Sequence, residues 1–399
     1  APAQIEVRYQ RINELIGVAI TKEQVHAILG AMGMNILKHD DSRFTVEVPT
    51  NKADVLREVD VIEEILRIYG FNNVPIPTHI TTSMAVVAHP SPTLVRNLVS
   101  DLLVGQGFNE MMALSLSESR YYTGEHSIVP EADLVYVNNT SNVHLDIMRP
   151  HMLYSGLEAI LRNQNRQEND IRFFEFGRSY RKTEEDFEEV NRLTLFLTGR
   201  RQAESWLADD QALVSYYGLK AYVNNVMARL GIGGYQQEAV SEDATLAYGT
   251  RYFRGPRELV RYGRVQSKLL KEMDIRGEVF YADFNWDNTF KALPKKRIQF
   301  SELNKYPSMR RDLALVVNQS VKFSEVAAIA GKTAKKLLRE ANLFDVYVND
   351  EQLGAGKKSY AVSFIFEDLT RTLKVKEIDK VMNQIIQQCE TKLGAQIRR

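Results

Sequence analysis

The last hundred residues constrain the fold most tightly, because their hydrophobic period switches between two and 3.6 in a fixed order. Leu313-Ala314-Leu315-Val316-Val317 reads as a strand, a helix is predicted from about Ser324 to Arg339, and a second strand follows at Leu343–Val348. Gly354-Ala355-Gly356 turns the chain into a third strand over Tyr360–Phe366. A closing helix carries Ile378, Met382, Ile385 and Cys389 on one stripe, and Gln396-Ile397-Arg398 ends the unit. The order β-α-β-β-α-β predicts two helices on one face of a four-stranded antiparallel sheet, with the other face left for a partner.

Upstream, 399 residues exceed what one hydrophobic core supports, so several domains are expected. In the first stretch, Thr21 reads as an N-cap for a helix bearing Val25, Ile28, Leu29 and Met32, which Gly33 stops. Phe44–Val48 alternates as a strand up to Pro49. A second helix is predicted from about Asp54 to Tyr69, with Val55, Val59, Ile62, Leu66 and Tyr69 as its apolar stripe and Asp60, Glu63, Glu64 and Arg67 on another face. Pro75, Pro77, Pro90 and Pro92 then mark residues 71–92 as an extended connector and a domain boundary. Beyond it the chain alternates: a helix over Thr93–Gly105, strands at Phe108–Leu116, Leu134–Val137, Arg172–Gly177, Arg192–Leu197 and Val279–Phe284, and helices near Leu153–Asn163 and Leu213–Leu230. The fold class is therefore α+β and multidomain.

Charge and composition narrow the function classes. Lys+Arg and Asp+Glu are each 51, so no global basic excess marks a nucleic-acid binder. The balance is nevertheless uneven: residues 301–399 hold 17 Lys+Arg against 12 Asp+Glu, a net of +5. The single Cys389 excludes an internal disulfide framework and a Cys-based metal centre from one chain, and with no export signal a cytoplasmic setting is expected. No run reaches the roughly 18 to 20 apolar residues of a membrane span. The absence of an initiator Met and the immediate start of pattern at Ile5 lead us to expect a piece cut at a domain boundary. Gly231-Ile232-Gly233-Gly234 follows a helix rather than a strand, Gly354–Lys358 lacks Walker spacing, and neither a His-x-x-x-His pair nor a Gly-x-Ser-x-Gly elbow occurs.

Two constellations remain. Asp54, Asp60, Glu63 and Glu64 could offer carboxylate oxygens to a hard cation such as Mg²⁺, or form a solvated face with Arg57 and Arg67 in weak ion pairs. Lys332, Lys335, Lys336 and Arg339 fall on one side of the predicted helix, opposite Val326, Ala330 and Leu337, and suit either phosphate binding or simple solubility.

Three strings carry a resemblance that covers nearly the whole chain. They are Val48-Pro49-Thr50-Asn51-Lys52-Ala53-Asp54 through Asp60–Phe71; Arg149-Pro150-His151-Met152-Leu153 with Phe173-Phe174-Glu175-Phe176-Gly177; and Lys305–Leu313 with Phe366–Leu373. The chain resembles the C-terminal part of the bacterial phenylalanine–tRNA ligase β subunit, departing from its usual Tyr/Trp-Arg pair at Asn51-Lys52. The resemblance implies a winged-helix-like B5 domain at 1–76, a linker at 77–92, a catalytically silent class II synthetase-like antiparallel sheet domain at 93–299 and a ferredoxin-like anticodon-binding domain at 300–399. It further implies an α₂β₂ assembly with a second β subunit and a catalytic α subunit, joining phenylalanine to tRNA(Phe) with ATP that this chain does not bind. Asp54, Asp60, Glu63 and Glu64 match the family's Mg²⁺ site, shared with α. The likeness of the last domain also raises Lys332, Lys335, Lys336 and Arg339 to expected tRNA contacts, a choice read from charge pattern and not from a family motif.

Two other readings compete. A DNA-binding regulator with a C-terminal sensor domain is disfavoured because residues 1–80 hold 8 Lys+Arg against 11 Asp+Glu, and a reading helix bearing Asp60, Glu63 and Glu64 would repel phosphates. A self-sufficient class II ligase would need the ATP-clamping arginine motif, of which Tyr248-Gly249-Thr250-Arg251 is only a faint echo.

Overall fold

Residues 2–79, 82–83, 90–124, 127–140, 142–206, 212–241, 243–294, 300 and 302–398 are described by the computed structural model. The chain divides after Leu98 into two compact units.

In the first unit, β1 (Ala3–Arg8), β2 (Asn35–His39) and β3 (Arg43–Val48) form an antiparallel sheet in the order β1-β3-β2. Three helices accompany it: α1 (Tyr9–Ile16), α2 (Lys22–Ala31) and α3 (Glu58–Tyr69). Thr21 caps α2 as its sequence predicts, its side chain accepting from Gln24 N while Gln24 reaches back to Thr21 N. Val7, Val25, Leu29, Phe44, Val46, Val61 and Ile65 close a core with essentially no exposure, which is the winged-helix-like arrangement expected.

The α3 expectation needs two corrections. The helix starts at Glu58, not near Asp54, because residues 49–55 are tied into turns by Lys52 N to Pro49 O (3.0 Å) and Val55 N to Lys52 O (3.3 Å). Its buried side is Val61, Ile62, Glu64 and Ile65, so Val59 faces solvent and Glu64 faces inward. Part of the connector expected over 71–92, namely 80–81 and 84–89, lies outside the described residues; its described start is a short 3₁₀ turn, Phe71–Asn73.

Helix α4 (Pro92–Gly105) runs across the division between the units. The strand expected over Phe108–Leu116 is two short pieces, β4 (Asn109–Glu110) and β5 (Leu116–Ser117). The second of these pairs with β7 (Ile147–Met148), which also pairs with β6 (Val135–Tyr136). Next come α5 (Leu153–Gln164), β8 (Ile171–Lys182), β9 (Phe187–Thr198), α6 (Tyr216–Arg229), β10 (Gln236–Val240), β11 (Leu246–Arg254), β12 (Arg257–Val265), α7 (Ser267–Glu272), β13 (Val279–Asn285) and α8 (Trp286–Lys291). The main sheet runs β10-β11-β12-β13-β9-β8-β4, antiparallel except where β4 lies parallel to β8. Strands β10 to β12 are not announced by their sequence. Strand β10 is mostly polar, and β11 and β12 mix Tyr and Arg with Gly249 and Gly263, whose backbones lie so close that a Cβ on Gly263 would sit 2.1 Å from Tyr248 O.

The last hundred residues form the predicted β-α-β-β-α-β unit: β14 (Met309–Asn318), α9 (Phe323–Ala334), β15 (Leu338–Tyr347), a short α10 (Asp350–Leu353), β16 (Lys357–Phe366), α11 (Val375–Leu393) and β17 (Gln396–Ile397). Its sheet order is β15-β16-β14-β17, all antiparallel. Leu313, Leu315, Val317, Val362, Phe364 and Phe366 face Val326, Ala330, Ile378, Met382, Ile385 and Cys389 in one core. No described helix is long and apolar enough to cross a membrane.

Candidate functional sites

The acidic set on and before α3 is not gathered into one group. Asp60 closes the helix start, its Oδ2 accepting from Leu56 N (3.0 Å) and Arg57 N (2.8 Å) and its Oδ1 from Arg57 Nη2 (3.2 Å). Those donors, the Leu56 amide foremost, hold its carboxyl below the usual range. Glu64 is 8% exposed; Lys52 Nζ lies 2.6 Å from its Oε2, and Arg67 binds its Oε1. The Lys52 bond is the chief reason its pKa is lowered. Asp54, in the turn before the helix, and Glu63, on its outer face, are exposed. Among the described residues no group of three or more His, Cys, Asp or Glu is arranged to hold a metal ion. As folded, this chain's residues do not by themselves fit Mg²⁺.

In the second unit, register places Glu175, Thr194 and Asp283 in one row across β8, β9 and β13. The loop before α5 covers that row. Arg149, 2% exposed, gives Nη2 to Glu175 Oε1 at 3.0 Å and Nε to Arg178 O at 2.9 Å. Burial raises the Glu175 pKa, and Arg149 opposes the rise. His151 Nε2 lies 3.5 Å from Asp283 Oδ2, with Arg192 Nη1 at 3.6 Å from the same oxygen. Arg149 Nη1, Glu175 Oε2, Thr194 Oγ1, Tyr281 OH and Asp283 Oδ1 are all shut from solvent. Over this row the sheet face is covered by the chain's own side chains. Two glycines permit the close fit: a Cβ on Gly156 of α5 would lie 2.0 Å from Phe196 Cζ, and one on Gly177 of β8 would lie 2.2 Å from Arg149 Nη2. Gly156→Ala is therefore expected to cost about 1–3 kcal/mol by overpacking, read as a shift in the urea midpoint; a midpoint equal to wild type would show that α5 can move off the sheet.

The basic set of the last domain is dispersed, against the helical-face expectation. Helix α9 ends at Ala334, so only Lys332 lies on it. Lys335 takes a positive φ of 51°, Lys336 belongs to a 3₁₀ turn, and Arg339 is on β15, 3.3 Å from Glu367 Oε2. All four are exposed. The sequence reading also missed a second surface, bearing two arginines and the Asp312 that pairs with Arg310 at 2.8 Å, on the sheet face turned away from α9 and α11. There Arg310 stands over the Phe344 ring (5.5 Å) and Arg398 over Tyr347 (4.8 Å), flanking the small Ala314, Ala361 and Ser363. Period-two alternation in β14 and β16 was the available signal; the residue inserted near Phe344, where the β15–β16 register shifts, hid it in β15.

Comparison with known proteins matches three successive segments to families. Residues 5–71 match the tRNA synthetase B5 domain, 76–286 the phenylalanyl-tRNA synthetase β chain CLM domain, and 304–398 the ferredoxin-fold anticodon-binding domain. A phenylalanine–tRNA ligase β subunit of Bacteroides thetaiotaomicron is 40% identical over 406 residues, covering 99% of this chain and 49% of the relative. The corresponding protein of Porphyromonas gingivalis is 36% identical over 412 residues, covering 100% of this chain and 50% of the relative. The chain thus spans about half the length of the curated relatives it matches. With a B5-type winged unit, a synthetase-like sheet and a ferredoxin-like end in this order, the chain belongs to the phenylalanyl-tRNA synthetase β-chain family.

Proposed function

We propose that this chain is a non-catalytic part of a phenylalanine–tRNA ligase β subunit, which supports a catalytic α subunit and binds tRNA(Phe) during ATP-dependent aminoacylation in the cytoplasm. What supports the non-catalytic assignment is that the polar row Glu175–Thr194–Asp283 of the main sheet is buried beneath Arg149 and His151, so those side chains are spent on one another. The domains run 1–76, 77–92, 93–299 and 300–399, and the assembly is α₂β₂. A Mg²⁺ ion shared with α would be offered the exposed Asp54 and Glu63 from this side, while Asp60 and Glu64 would first have to leave their cations. Light-scattering mass of this chain with and without the matching α subunit tests the assembly, followed by phenylalanine-dependent ATP–pyrophosphate exchange. Exchange by the chain alone would overturn the non-catalytic assignment, and a mass unchanged by α would overturn the pairing.

For tRNA, Lys332, Lys335, Lys336 and Arg339 supply phosphate neutralisation at the rim of the last domain, while Arg310, Phe344, Tyr347 and Arg398 offer stacking on its open sheet face. Replacing the four rim cations by Ala is expected to flatten the slope of log affinity against log salt for tRNA(Phe) by about three. Arg310→Ala with Arg398→Ala is expected to weaken binding roughly tenfold by loss of the guanidinium planes available for stacking. Fluorescence anisotropy over a salt series measures both. An unchanged slope in the rim variant would leave binding to the sheet alone.

A further inference from the structure

The turn that leaves α9 is made by residues ill suited to it. Ala334, the last helical residue, is fixed in the core at 5% exposure. Just beyond, the chain is pinned again, since Leu337 O accepts from Glu367 N at 2.9 Å and Leu338 pairs with Phe366. Only Lys335 and Lys336 are left to change direction, and Lys335 takes φ 51° and ψ −121°. Those angles are close to the first central position of a type II′ turn, about +60° and −120°, where glycine fits because a Cβ is crowded. The nearby Gly331 stands inside α9 instead. Lysine thus occupies a position where glycine would be less strained, and what it adds over glycine is a cation. The charges around it are also unrelieved. Lys305, Arg310, Arg311, Arg339 and Arg371 each have a carboxylate at 2.6 to 3.3 Å. The exposed Lys332, Lys335 and Lys336 have none among the described residues. Three such ammonium groups close together repel one another, and a partner carrying a row of negative charges relieves that repulsion.

We propose that Lys335 contacts RNA phosphate together with Lys332 and Lys336 and is held in a glycine-type turn to do so, so that lysine at this position raises RNA affinity while lowering the stability of the last domain. This rests on the reading that the last domain binds tRNA(Phe); beyond it, position 335 moves affinity and stability in opposite directions. Glycine at 335 removes both the charge and the crowded Cβ, alanine removes the charge and keeps the Cβ, and arginine keeps both.

The test compares wild type with Lys335→Gly, Lys335→Ala and Lys335→Arg in the full 399-residue chain. Two readouts are taken: tRNA(Phe) binding by fluorescence anisotropy over a salt series, and hydrogen–deuterium exchange of peptides from α9 and β15. Lys335→Gly should bind about fivefold more weakly at about 0.1 M salt, with the slope of log affinity against log salt flatter by about 0.7. Its α9 and β15 amides should exchange about fivefold more slowly as the strain is relieved. Lys335→Ala should lose the same affinity without slower exchange, and Lys335→Arg should recover what glycine and alanine lose. Wild-type affinity and slope in Lys335→Gly, while the variant lacking all four rim cations does lose slope, would remove Lys335 from the contact and leave the tRNA reading standing. Affinity lost with glycine but kept with alanine would trace the effect to the backbone and overturn the phosphate contact. Exchange in Lys335→Gly as fast as in wild type would overturn the opposition between affinity and stability. Absence of tRNA(Phe) binding by wild type would overturn the underlying reading and the proposal together.

Discussion

Arg149→Met is expected to destabilise the second unit by about 3–5 kcal/mol, the usual cost of stranding one partner of a buried ion pair. Arg149 is 2% exposed and so is Glu175, and no described cation other than Arg149 pairs with that carboxylate. Among the described residues, removing the guanidinium leaves Glu175 only the Ala113 amide, 3.2 Å from Oε1. Arg149 is also a mechanical link: its amide donates to Ser115 O, its carbonyl accepts from Tyr180 N, and its Nε donates to Arg178 O. The loop before α5 is thereby sewn to β8. For a unit of this size the loss corresponds to a fall in melting temperature on the order of 10 °C. Changing Glu175 to Gln in the same chain should restore part of it, because a neutral amide is cheaper to bury than an unpaired carboxylate. Thermal and urea melts by circular dichroism decide the matter, and an Arg149→Met variant within 1 kcal/mol of wild type would show that the face is held shut by something else.

The second large effect is a loss of stability in mild acid that depends on His151. Burial pushes its pKa down to about 4; the nearby Asp283 opposes the shift, and Arg192, Arg181 and Arg261 reinforce it. Geometry agrees, since His151 Nδ1 accepts from Leu153 N at 3.1 Å at the start of α5, a bond a protonated ring could not make. In the unfolded chain a histidine titrates near 6.5. Above about pH 7 both states are neutral and the residue has no effect. As pH falls below 6.5 the unfolded state takes up a proton that the folded state refuses, so stability declines until about pH 4, where the folded state is protonated too. Between pH 7.5 and 5 this amounts to about 2 kcal/mol. Urea unfolding at the two pH values, on wild type and His151→Gln, isolates the contribution; equal slopes in the two proteins would assign the acid limb to other groups.

Much of the fold was legible along the chain. Thr21 announced α2 because a cap is a local bond, and Ile378, Met382, Ile385 and Cys389 announced α11 because one buried stripe needs no knowledge of what covers it. Similarity to known relatives was legible for the same reason, in strings such as Phe173–Gly177 and Lys305–Leu313. The sites were less so. Lys332 to Arg339 keeps good helix formers without a glycine stop, so nothing local ends α9 at Ala334; pairing of β15 with β16 does that, by claiming Leu338 onward for the sheet. The spacing of Asp60, Glu63 and Glu64 placed three carboxylates on one turn, yet only two of them stay near the surface.

What the sequence by itself determined are features set by neighbours within a few residues: the type of the strongly patterned elements, the cap at Thr21, the order β-α-β-β-α-β of the last domain, and family membership. What the tertiary structure alone decided is which charges meet. Lys52 and Glu64 lie twelve residues apart, Arg149 and Glu175 twenty-six, and their protonation and roles follow from being brought within hydrogen-bond distance where water is largely excluded. Coulomb energy depends on distance and surroundings in space, and separation along the chain records neither.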